Sequence, residues 1–301
     1  MAEETLDNGQ LRAVIDPDNG MALMALDLGL RGKWVPLTPD AREEANDLDA
    51  ASFLMVPYSN RIADGTFTFN GQSHELMDKA NHAIHGDVRH RPWVPVGREA
   101  NFIKGAFLSE RHEEVNWPWP FEVRCLYQLN GPALVSELTL INRGETPMPA
   151  GFGWHPYYNR KLTAEGEPVE LKLNCTAVYP DANDNRIPSG PAEAPGPDRD
   201  FSAGRALPPE QFLDICCCGY DGNGTIRWPD SGVTLRYACS EACSHLVLYN
   251  PTDQPYFAVE PVTNANNGVN LLAGGDETSG VAVLAPGEQL TASFEMRVEL
   301  D

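Results

Sequence analysis

The sequence is poor in positive charge and has no long apolar run. Its 301 residues contain 22 Lys and Arg against 43 Asp and Glu, which gives a formal net charge of -21. Nucleic acids and anionic membranes bind clustered cations, so we expect no nucleic-acid and no membrane partner. No apolar stretch approaches the roughly 20 residues that span a bilayer, and the acidic start MAEETLDNGQ has no secretory pattern. These absences favour a cytoplasmic protein.

Cysteine usage excludes a disulfide framework. The seven cysteines are an odd number, and Cys216, Cys217 and Cys218 are consecutive. This arrangement agrees with a reducing compartment. The chain contains no C-x-x-C pair, and Cys239 and Cys243 lie at a wider spacing, so a zinc site is disfavoured. We predict that the cysteine run fills a buried strand.

Two common catalytic signatures are also missing. The chain has no G-x-S-x-G motif for a serine nucleophile and no glycine-rich phosphate loop. Serine hydrolases of that type and P-loop nucleotide enzymes are therefore excluded. Nucleophilic cysteine chemistry is not excluded, although the cysteine run fits a buried strand first, so the main candidates for a catalytic site are the histidines, carboxylates and arginines.

The sequence does contain many short segments in which apolar and polar residues alternate between turn residues, a pattern typical of β-strands. Its 26 Gly and 25 Pro leave little room for long helices, and short ones are predicted only near Pro208–Leu213 and Asp40–Asp49. The predicted strands are Leu11–Ile15, Thr66–Phe69, Phe121–Leu129, Leu134–Ile141, Val169–Leu173, Val233–Tyr237, His245–Tyr249 and Leu290–Leu300. Together they predict a single all-β domain over residues 1–301, a large antiparallel β-sandwich.

Residues 180–209 interrupt this pattern with a stretch rich in Pro, Gly, Asp and Ala. Strands of the same kind resume after it, so we interpret it as a long surface excursion and not as a linker between domains. Loops of this length are often part of a binding face.

Asn60 and Arg61 precede a predicted strand-turn-strand unit. They fit two interpretations equally well. One is a surface hairpin with a solvated arginine. The other is a site in which the guanidinium donates hydrogen bonds to the oxygens of a ligand.

Three of the seven histidines, His82, His85 and His90, lie within nine residues. A metal site is one interpretation, but strand spacing would place His82 and His85 on opposite faces. The alternative is that one histidine hydrogen-bonds a sugar beside Trp93, whose ring stacks on it.

Two further segments combine an ionisable side chain with rigid neighbours. Pro156 holds His155 in an extended conformation, and Tyr157 adds a ring with a polar tip. Taken alone, that segment fits a packed loop better than a catalytic one. Glu260 ends an apolar strand before Pro261, which fits an exposed glutamate or a general base whose pKa is raised by apolar neighbours.

In this order the segments resemble the aldose 1-epimerase (galactose mutarotase) family across nearly the whole chain. The matching pieces are NRIADGTFTFNG (60–71), IHGD (84–87) with RPW (91–93), HPYYN (155–159), LDICCCGYDG (213–222) and VEP (259–261). The HGD, RPW and GYDG variants are similar to a bacterial subgroup of unassigned sugar specificity. The resemblance implies the galactose mutarotase-like supersandwich, with few short helices and an open ligand groove.

The resemblance also implies an activity, the interconversion of the α and β anomers of a hexose with no cofactor and no metal. It makes Glu260 the general base on the anomeric hydroxyl and His155 the general acid on the ring oxygen, with His85 assisting there or holding a neighbouring hydroxyl. The implied sugar-binding residues are Arg61, Asn60 in support of Arg61, Asp214, Trp93 and Tyr157. A carboxylate and an imidazole can each give and take a proton near neutral pH, as this reaction requires. A homodimer is one option for the assembly.

Two departures from the family pattern concern the sugar. The family commonly has His-Gly-Gly where this chain has HGD (85–87), and Phe-Asn-Leu where it has YNR (158–160). The closest alternative is a hexose-6-phosphate 1-epimerase with Arg89, Arg91 and Arg160 around the phosphate, although the acidity of the chain argues against it. A non-catalytic carbohydrate-binding protein on the same fold and a His/Glu metal enzyme are further alternatives.

Overall fold

The structure, a computed structural model, describes residues 3–301 and is built from strands, with one short α-helix in that range. The strands are β1 (Glu4–Asp7), β2 (Leu11–Asp16), β3 (Ala22–Leu30), β4 (Lys33–Pro36), β5 (Ser52–Met55), β6 (Thr66–Phe69), β7 (Gln72–Glu75), β8 (Val94–Glu99), β9 (Phe102–Leu108), β10 (Phe121–Asn130), β11 (Ala133–Asn142), β12 (Met148–Ala150), β13 (Gly153–Asn159), β14 (Glu170–Leu173), β15 (Ala177–Val178), β16 (Arg205–Ala206), β17 (Leu213–Cys218), β18 (Asn223–Trp228), β19 (Val233–Cys239), β20 (His245–Asn250), β21 (Tyr256–Val262), β22 (Ala282–Leu284) and β23 (Gln289–Leu300). The helix is α1 (Gly268–Ala273), and single 3-10 turns lie at Glu44–Asn46, Ala63–Gly65, Lys79–Asn81 and Ser109–Arg111. No helix of the described residues has the length and hydrophobicity needed to cross a membrane.

Most strands belong to two large antiparallel sheets. The first has ten strands in the order β1-β2-β3-β5-β13-β21-β20-β17-β15, with β4 paired to β3. The second has nine strands in the order β16-β14-β18-β19-β23-β11-β10-β9-β8. The β6–β7 hairpin and the β12–β22 pair stand outside them. The predicted antiparallel β-sandwich is confirmed.

Strand β13 shows how the sandwich separates its core from its opposite face. The Trp154 indole donates a hydrogen bond of 2.8 Å to Ser136 Oγ on β11, and its ring lies 5.6 Å from that of Phe294 on β23. Side chains alternate along a strand. The neighbouring residues His155 and Tyr157 therefore point away from this core, on the other face of the first sheet.

The period-two pattern located the strands well. All eight predicted strands are present, and their observed bounds differ by two residues at most. The Asn70–Gly71 pair joins β6 to β7 with positive φ at both residues, 50° and 78°. Such a turn matches the twist of the flanking strands.

The helix predicted near Pro208–Leu213 is absent, the one near Asp40–Asp49 is reduced to a single 3-10 turn at Glu44–Asn46, and polar side chains explain both outcomes. Asn250 donates its amide N–H groups to the carbonyls of Pro208 and Gln211, which keeps Pro208–Leu213 as a turn before β17. Asp40 accepts hydrogen bonds from the backbone and guanidinium of Arg42, so Asp40–Asp49 forms only one 3-10 turn. Short polar side chains compete in this way with helical hydrogen bonds.

The excursion over residues 180–209 lies mostly at the surface, as predicted, and it is attached to the first sheet. The backbones of Val178 and Glu193 exchange two hydrogen bonds, of 2.8 and 2.9 Å. This attachment brings residues 181–189 close to β17.

Gly153 controls how closely β13 approaches β21. A Cβ at this position would lie 2.4 Å from Val262 Cγ1 and 2.9 Å from the carbonyl oxygen of Pro261. We expect Gly153→Ala to lower the free energy of unfolding in urea by about 1–3 kcal/mol, because overpacking forces the strands apart. Gly97→Ala on β8 is the matched control, since its nearest contact would be 3.8 Å. Equal losses of stability in the two variants would contradict this assignment.

Candidate active site

A cavity of about 460 Å³ opens on the face of the first sheet that points away from the core. Its size suits a small molecule. Strand residues form its floor, and loop residues from the segments 60–85 and 185–212 form its walls. The lining residues are Asn60, Arg61, His82, Ile84, His85, His155, Tyr157, Asn185, Arg186, Phe212, Asp214, Tyr249 and Glu260.

The floor of the cavity follows directly from strand register. Strands β13 and β21 pair Gly153 with Val262 and Tyr157 with Ala258, so His155 lies opposite Glu260. His155 Nε2 is 3.2 Å from Glu260 Oε1, and the two residues are only 5% and 2% exposed. Directly opposed residues on neighbouring strands come within contact distance by construction. Two ionisable groups are thereby held together with little access to water.

The loop after β5 contacts the His155–Glu260 pair through Asn60 and His85. Asn60 donates its side-chain amide to Glu260 Oε2 at 3.3 Å, and its carbonyl accepts the His85 N–H at 2.6 Å. The His85 ring lies 5.1 Å from the His155 ring and is nearly perpendicular to it. The Asn60 amide thus contacts Glu260, and its support of Arg61 stays a prediction.

Two neighbours of His85 shape its loop. Gly86 adopts φ +66° and lies so close to Val56 that a Cβ would be 2.1 Å from the Val56 carbonyl oxygen, so only glycine fits. Asp87 binds the Arg91 guanidinium with both oxygens, at 3.1 and 2.8 Å, and accepts the N–H of Asn116 at 2.5 Å. The Asp in the HGD motif therefore holds its own loop together.

Burial shifts the pKa values of the opposed pair in opposite directions. It raises the pKa of Glu260 well above its usual value, and the negative charge of Asp214 adds to this rise. It lowers the pKa of His155 to about 3, and the charge of Arg89 contributes in the same direction. Both shifts disfavour the charged forms. Together the two shifts favour the arrangement in which both side chains are uncharged and the pair shares one proton, which lies on the carboxyl.

A second polar group occupies the other end of the floor. Asp214 lies opposite Tyr249 on β20 and accepts a hydrogen bond of 3.1 Å from Arg186 Nε. Burial raises the pKa of Asp214, and the Arg186 and Arg61 guanidiniums oppose that rise. Arg61 donates from Nη1 to the Asn81 carbonyl at 3.2 Å, whereas its buried Nε has no hydrogen-bond partner within residues 3–301.

Arg186 was missed by the sequence analysis, as were the other lining residues Asn185, Tyr249 and Phe212. Asp181 holds the Arg186 loop by accepting the Arg186 N–H at 2.8 Å, and the Arg186 guanidinium lies over the Phe212 ring at 5.4 Å. The only signal was the length of the 180–209 excursion, which predicts a binding face but no particular residue.

Trp93 and two arginines do not reach the cavity, which corrects the predictions made for them. Trp93 is only 1% exposed, donates to the Val88 carbonyl and packs on Phe107, so its ring cannot stack on a ligand. Arg91 is paired with Asp87, as described above. Arg160 is bound to the side chain of Asn250 and to the carbonyls of residues 251 and 254.

The cysteines and histidines of the described residues are spread over several strands and loops. The three consecutive cysteines are buried in β17, as predicted, and all seven cysteines are free thiols. Within residues 3–301 no group of three or more His, Cys, Asp or Glu side chains is placed to hold a metal ion.

Comparison with known proteins assigns the chain to a family. Residues 5–297 match the family model for aldose 1-epimerase. The chain belongs to the aldose 1-epimerase family. Over 98% of both chains it is 23% identical to the Escherichia coli protein YphB. Its fold resembles a galactose mutarotase-like protein from Clostridium acetobutylicum, with a TM-score of 0.85, 19% identity and coverage of 100% and 98%.

A second solved structure extends the comparison to an animal. The GalM/aldose epimerase homologue from C. elegans matches with a TM-score of 0.82 and 16% identity, over 99% of each chain. At these identities the structural comparisons establish the shared sandwich, and the predicted roles of the site residues rest on the geometry described above.

The shared proton of the pair can be observed by NMR. In the sugar-free protein we expect the His155 imidazole to stay neutral through the mildly acidic range and to titrate at about pH 3, because burial disfavours the imidazolium. The ring nitrogen shifts of His155 measure this, with the exposed His90 ring in the same spectra as a reference. A midpoint near the ordinary histidine value of about 6.5 would contradict the shared-proton description.

Proposed function

We propose that this member of the family interconverts the α and β anomers of an aldose by opening and closing the sugar ring. The observation that supports this most directly is the buried His155–Glu260 contact of 3.2 Å on the floor of the cavity. Mutarotation needs one proton removed from the anomeric hydroxyl and one delivered to the ring oxygen. A pair that carries a single proton between a base and an acid matches that requirement.

The reaction begins from the state in which His155 is protonated and Glu260 is ionised. Glu260 takes the proton of the anomeric hydroxyl, His155 gives its proton to the ring oxygen, and the bond between C1 and that oxygen breaks. The product is the open-chain aldehyde, with His155 neutral and Glu260 protonated. Rotation about the C1–C2 bond turns the other face of the aldehyde toward the hydroxyl. Reversal of both proton transfers then closes the ring to the other anomer.

Burial of the pair favours ring opening. The open-chain stage leaves both side chains uncharged, and this is the proton distribution that the buried site prefers. Before the ring opens, His155 is protonated and Glu260 is ionised. The anomeric hydroxyl and the ring oxygen of the sugar can hydrogen-bond these two charged side chains. Charge is therefore neutralised as the C1–oxygen bond breaks.

The remaining lining groups orient the sugar. We assign His85 to the ring oxygen or a neighbouring hydroxyl, since its pKa is lowered by burial and by His155, which leaves it a neutral hydrogen-bonding ring. Arg61 and Asp214 supply a donor and an acceptor for hydroxyls at the far end, and Tyr157 forms a side wall. Fixed donors and acceptors of this kind hold the reacting atoms near the acid and base.

A non-catalytic carbohydrate-binding protein is the alternative to this proposal, and it would not need the His155–Glu260 pair. We expect Glu260→Gln and His155→Asn each to lower the rate of anomer exchange by at least about 100-fold, because each removes one of two coupled proton transfers. Exchange is measured by NMR on freshly dissolved α-hexoses, and sugar binding by calorimetry. Glu241→Gln, which changes an exposed carboxylate away from the cavity, is the matched control. Wild-type exchange in either cavity variant would refute the mechanism.

The pH dependence of the reaction follows from the same pair. Activity requires one shared proton, so it is lost at low pH only when a second proton binds. Burial lowers the pKa of His155 and opposes that second proton. We therefore expect the acidic limb of kcat/KM to lie well below pH 6.5. An acidic limb centred at 6.5, the usual histidine value, would show that an ordinary solvated imidazole controls the reaction.

A further inference from the structure

Arg186 binds Asp214 with only one of the two donors that its guanidinium could use. The Nε and Nη2 donors share one edge of a guanidinium and often bind both oxygens of a carboxylate. The Asp87–Arg91 pair has this complete form, with bonds of 3.1 Å from Nε and 2.8 Å from Nη2. Arg186 Nε donates to Asp214 Oδ2 at 3.1 Å, but within residues 3–301 neither Arg186 Nη2 nor Asp214 Oδ1 has a hydrogen-bond partner. A donor and an acceptor are therefore left unpaired beside each other.

The backbone of Arg186 is fixed relative to the strand that carries Asp214. Arg186 has a φ of +67°, its N–H donates to Asp181 Oδ2 at 2.8 Å, and its carbonyl accepts the side-chain amide of Asn266 at 3.0 Å. The Asn266 N–H donates in turn to Cys216 Sγ at 3.5 Å, two residues after Asp214 on β17. Asn266 thus ties the loop to the strand. A site held in place before a ligand binds loses less entropy on binding.

The guanidinium of Arg186 is held as well, and it stays accessible. Its Nη1 donates to the Asp184 carbonyl and lies 3.3 Å from the Asp184 carboxylate, and its Cζ lies 5.4 Å from the centre of the Phe212 ring. The side chains of Arg186 and Asp214 keep 24% and 16% of their surface exposed, and both residues line the cavity. The incomplete pair is therefore open to a ligand in the cavity.

A hydroxyl group matches the two unpaired atoms. Its oxygen can accept a hydrogen bond from Arg186 Nη2 while its hydrogen is donated to Asp214 Oδ1. A carboxylate or phosphate of the ligand could accept from Nη2, but it would face the negative charge of Asp214. An ammonium group could donate to Oδ1, but it would face the positive charge of Arg186. The arrangement therefore selects a neutral group that both donates and accepts.

We propose that Arg186 is a further sugar-binding residue of this protein, and that it holds one hydroxyl of the aldose between its Nη2 and Asp214 Oδ1. The inference rests on the proposed function, which supplies the sugar and its orientation. It adds a residue of the 180–209 excursion to the groups that decide which aldoses bind. Because the hydroxyl bonds two charged groups, its absence from a sugar leaves both of them without that partner.

The strand order indicates which hydroxyl groups lie in reach. His155 lies on β13, Glu260 on the neighbouring β21, and Asp214 on β17, two strands beyond β21. In the proposed reaction His155 contacts the ring oxygen and Glu260 contacts the anomeric hydroxyl on C1. The ring continues from C1, away from the ring oxygen, to C2 and C3. The hydroxyls on C2 and C3 are therefore the ones on the side of Arg186 and Asp214.

Deoxy sugars test the proposal. Anomer exchange is measured by NMR for glucose, 2-deoxyglucose, 3-deoxyglucose and 6-deoxyglucose, with the uncatalysed rate subtracted for each. We expect Arg186→Met to lower kcat/KM for glucose and 6-deoxyglucose by about tenfold or more, since a hydrogen bond to a charged group is lost. The loss should be about tenfold smaller for 2-deoxyglucose or 3-deoxyglucose, whichever lacks the bound hydroxyl, because that sugar never made the bond. Any effect of the variant that is common to all sugars cancels in this comparison.

The matched control is Arg199→Met. Arg199 is an exposed arginine of the same excursion, and it does not line the cavity. This variant removes the same charge and should keep the wild-type kcat/KM for all four sugars. A change of sugar preference in Arg199→Met equal to that in Arg186→Met would overturn the inference, because net charge alone would then explain it.

The outcomes separate this inference from the proposed function. If Arg186→Met lowers kcat/KM equally for all four sugars, or spares only 6-deoxyglucose, the inference is wrong while the mutarotase proposal stands. If the wild-type protein exchanges no sugar, the mutarotase proposal fails, and calorimetric titration with the same four sugars decides the inference. Weaker binding of glucose to Arg186→Met, with unchanged binding of 2-deoxyglucose or 3-deoxyglucose, supports it, and any other binding pattern overturns it.

Discussion

The site depends on one constraint, the burial of an imidazole directly opposite a carboxyl on neighbouring strands. His155 and Glu260 are almost wholly removed from water, so a charge on either one is unfavourable without a partner. Their contact at 3.2 Å lets one proton serve both groups. In the proposed mechanism this pair, uncharged overall, supplies both the base and the acid.

The first sheet fixes the position of the His155–Glu260 contact. Trp154 anchors β13 in the core between the two sheets, and strand alternation then forces His155 to the opposite face. Antiparallel register sets Glu260 beside it, and the small Gly153 allows β13 and β21 to pack closely. Rigid strands therefore carry His155 and Glu260, whereas loops carry most of the other polar side chains that line the cavity. Under the proposed function, this division places the proton-transfer groups on the rigid sheet.

Sequence motifs predicted His155 and Glu260 on strands and Asn60, Arg61 and His85 on loops, but they did not predict the residues contributed by the 180–209 excursion or Tyr249 on β20. Period-two alternation located the strands, and Pro156 correctly indicated an extended His155. The sequence around Trp93 does not distinguish a buried ring from an exposed ring that stacks on a sugar. Its packing on Phe107, seen only in the structure, shows that it is buried. Asn60 finds its partner 200 residues away in Glu260, a separation that no local pattern encodes. Arg186 lies in a segment with no periodicity at all, so its approach to Asp214 depends on how the excursion attaches to the sheet.

The electrostatic potential of the cavity depends on the charges close to it and not on the net charge of the chain. The acidity of the chain argued against a phosphorylated sugar, and two of the three arginines considered for that role proved to be bound elsewhere. Asp87 takes up Arg91, and the loop after β20 takes up Arg160. Because screening limits electrostatic reach to about 8–10 Å at physiological salt, the many distant carboxylates contribute little inside the cavity. The ionisable side chains that line the cavity, both guanidiniums and carboxyls, therefore set its local potential. By binding Arg91, Asp87 fixes the loop whose Arg89 guanidinium lies over the Phe53 ring, next to His155.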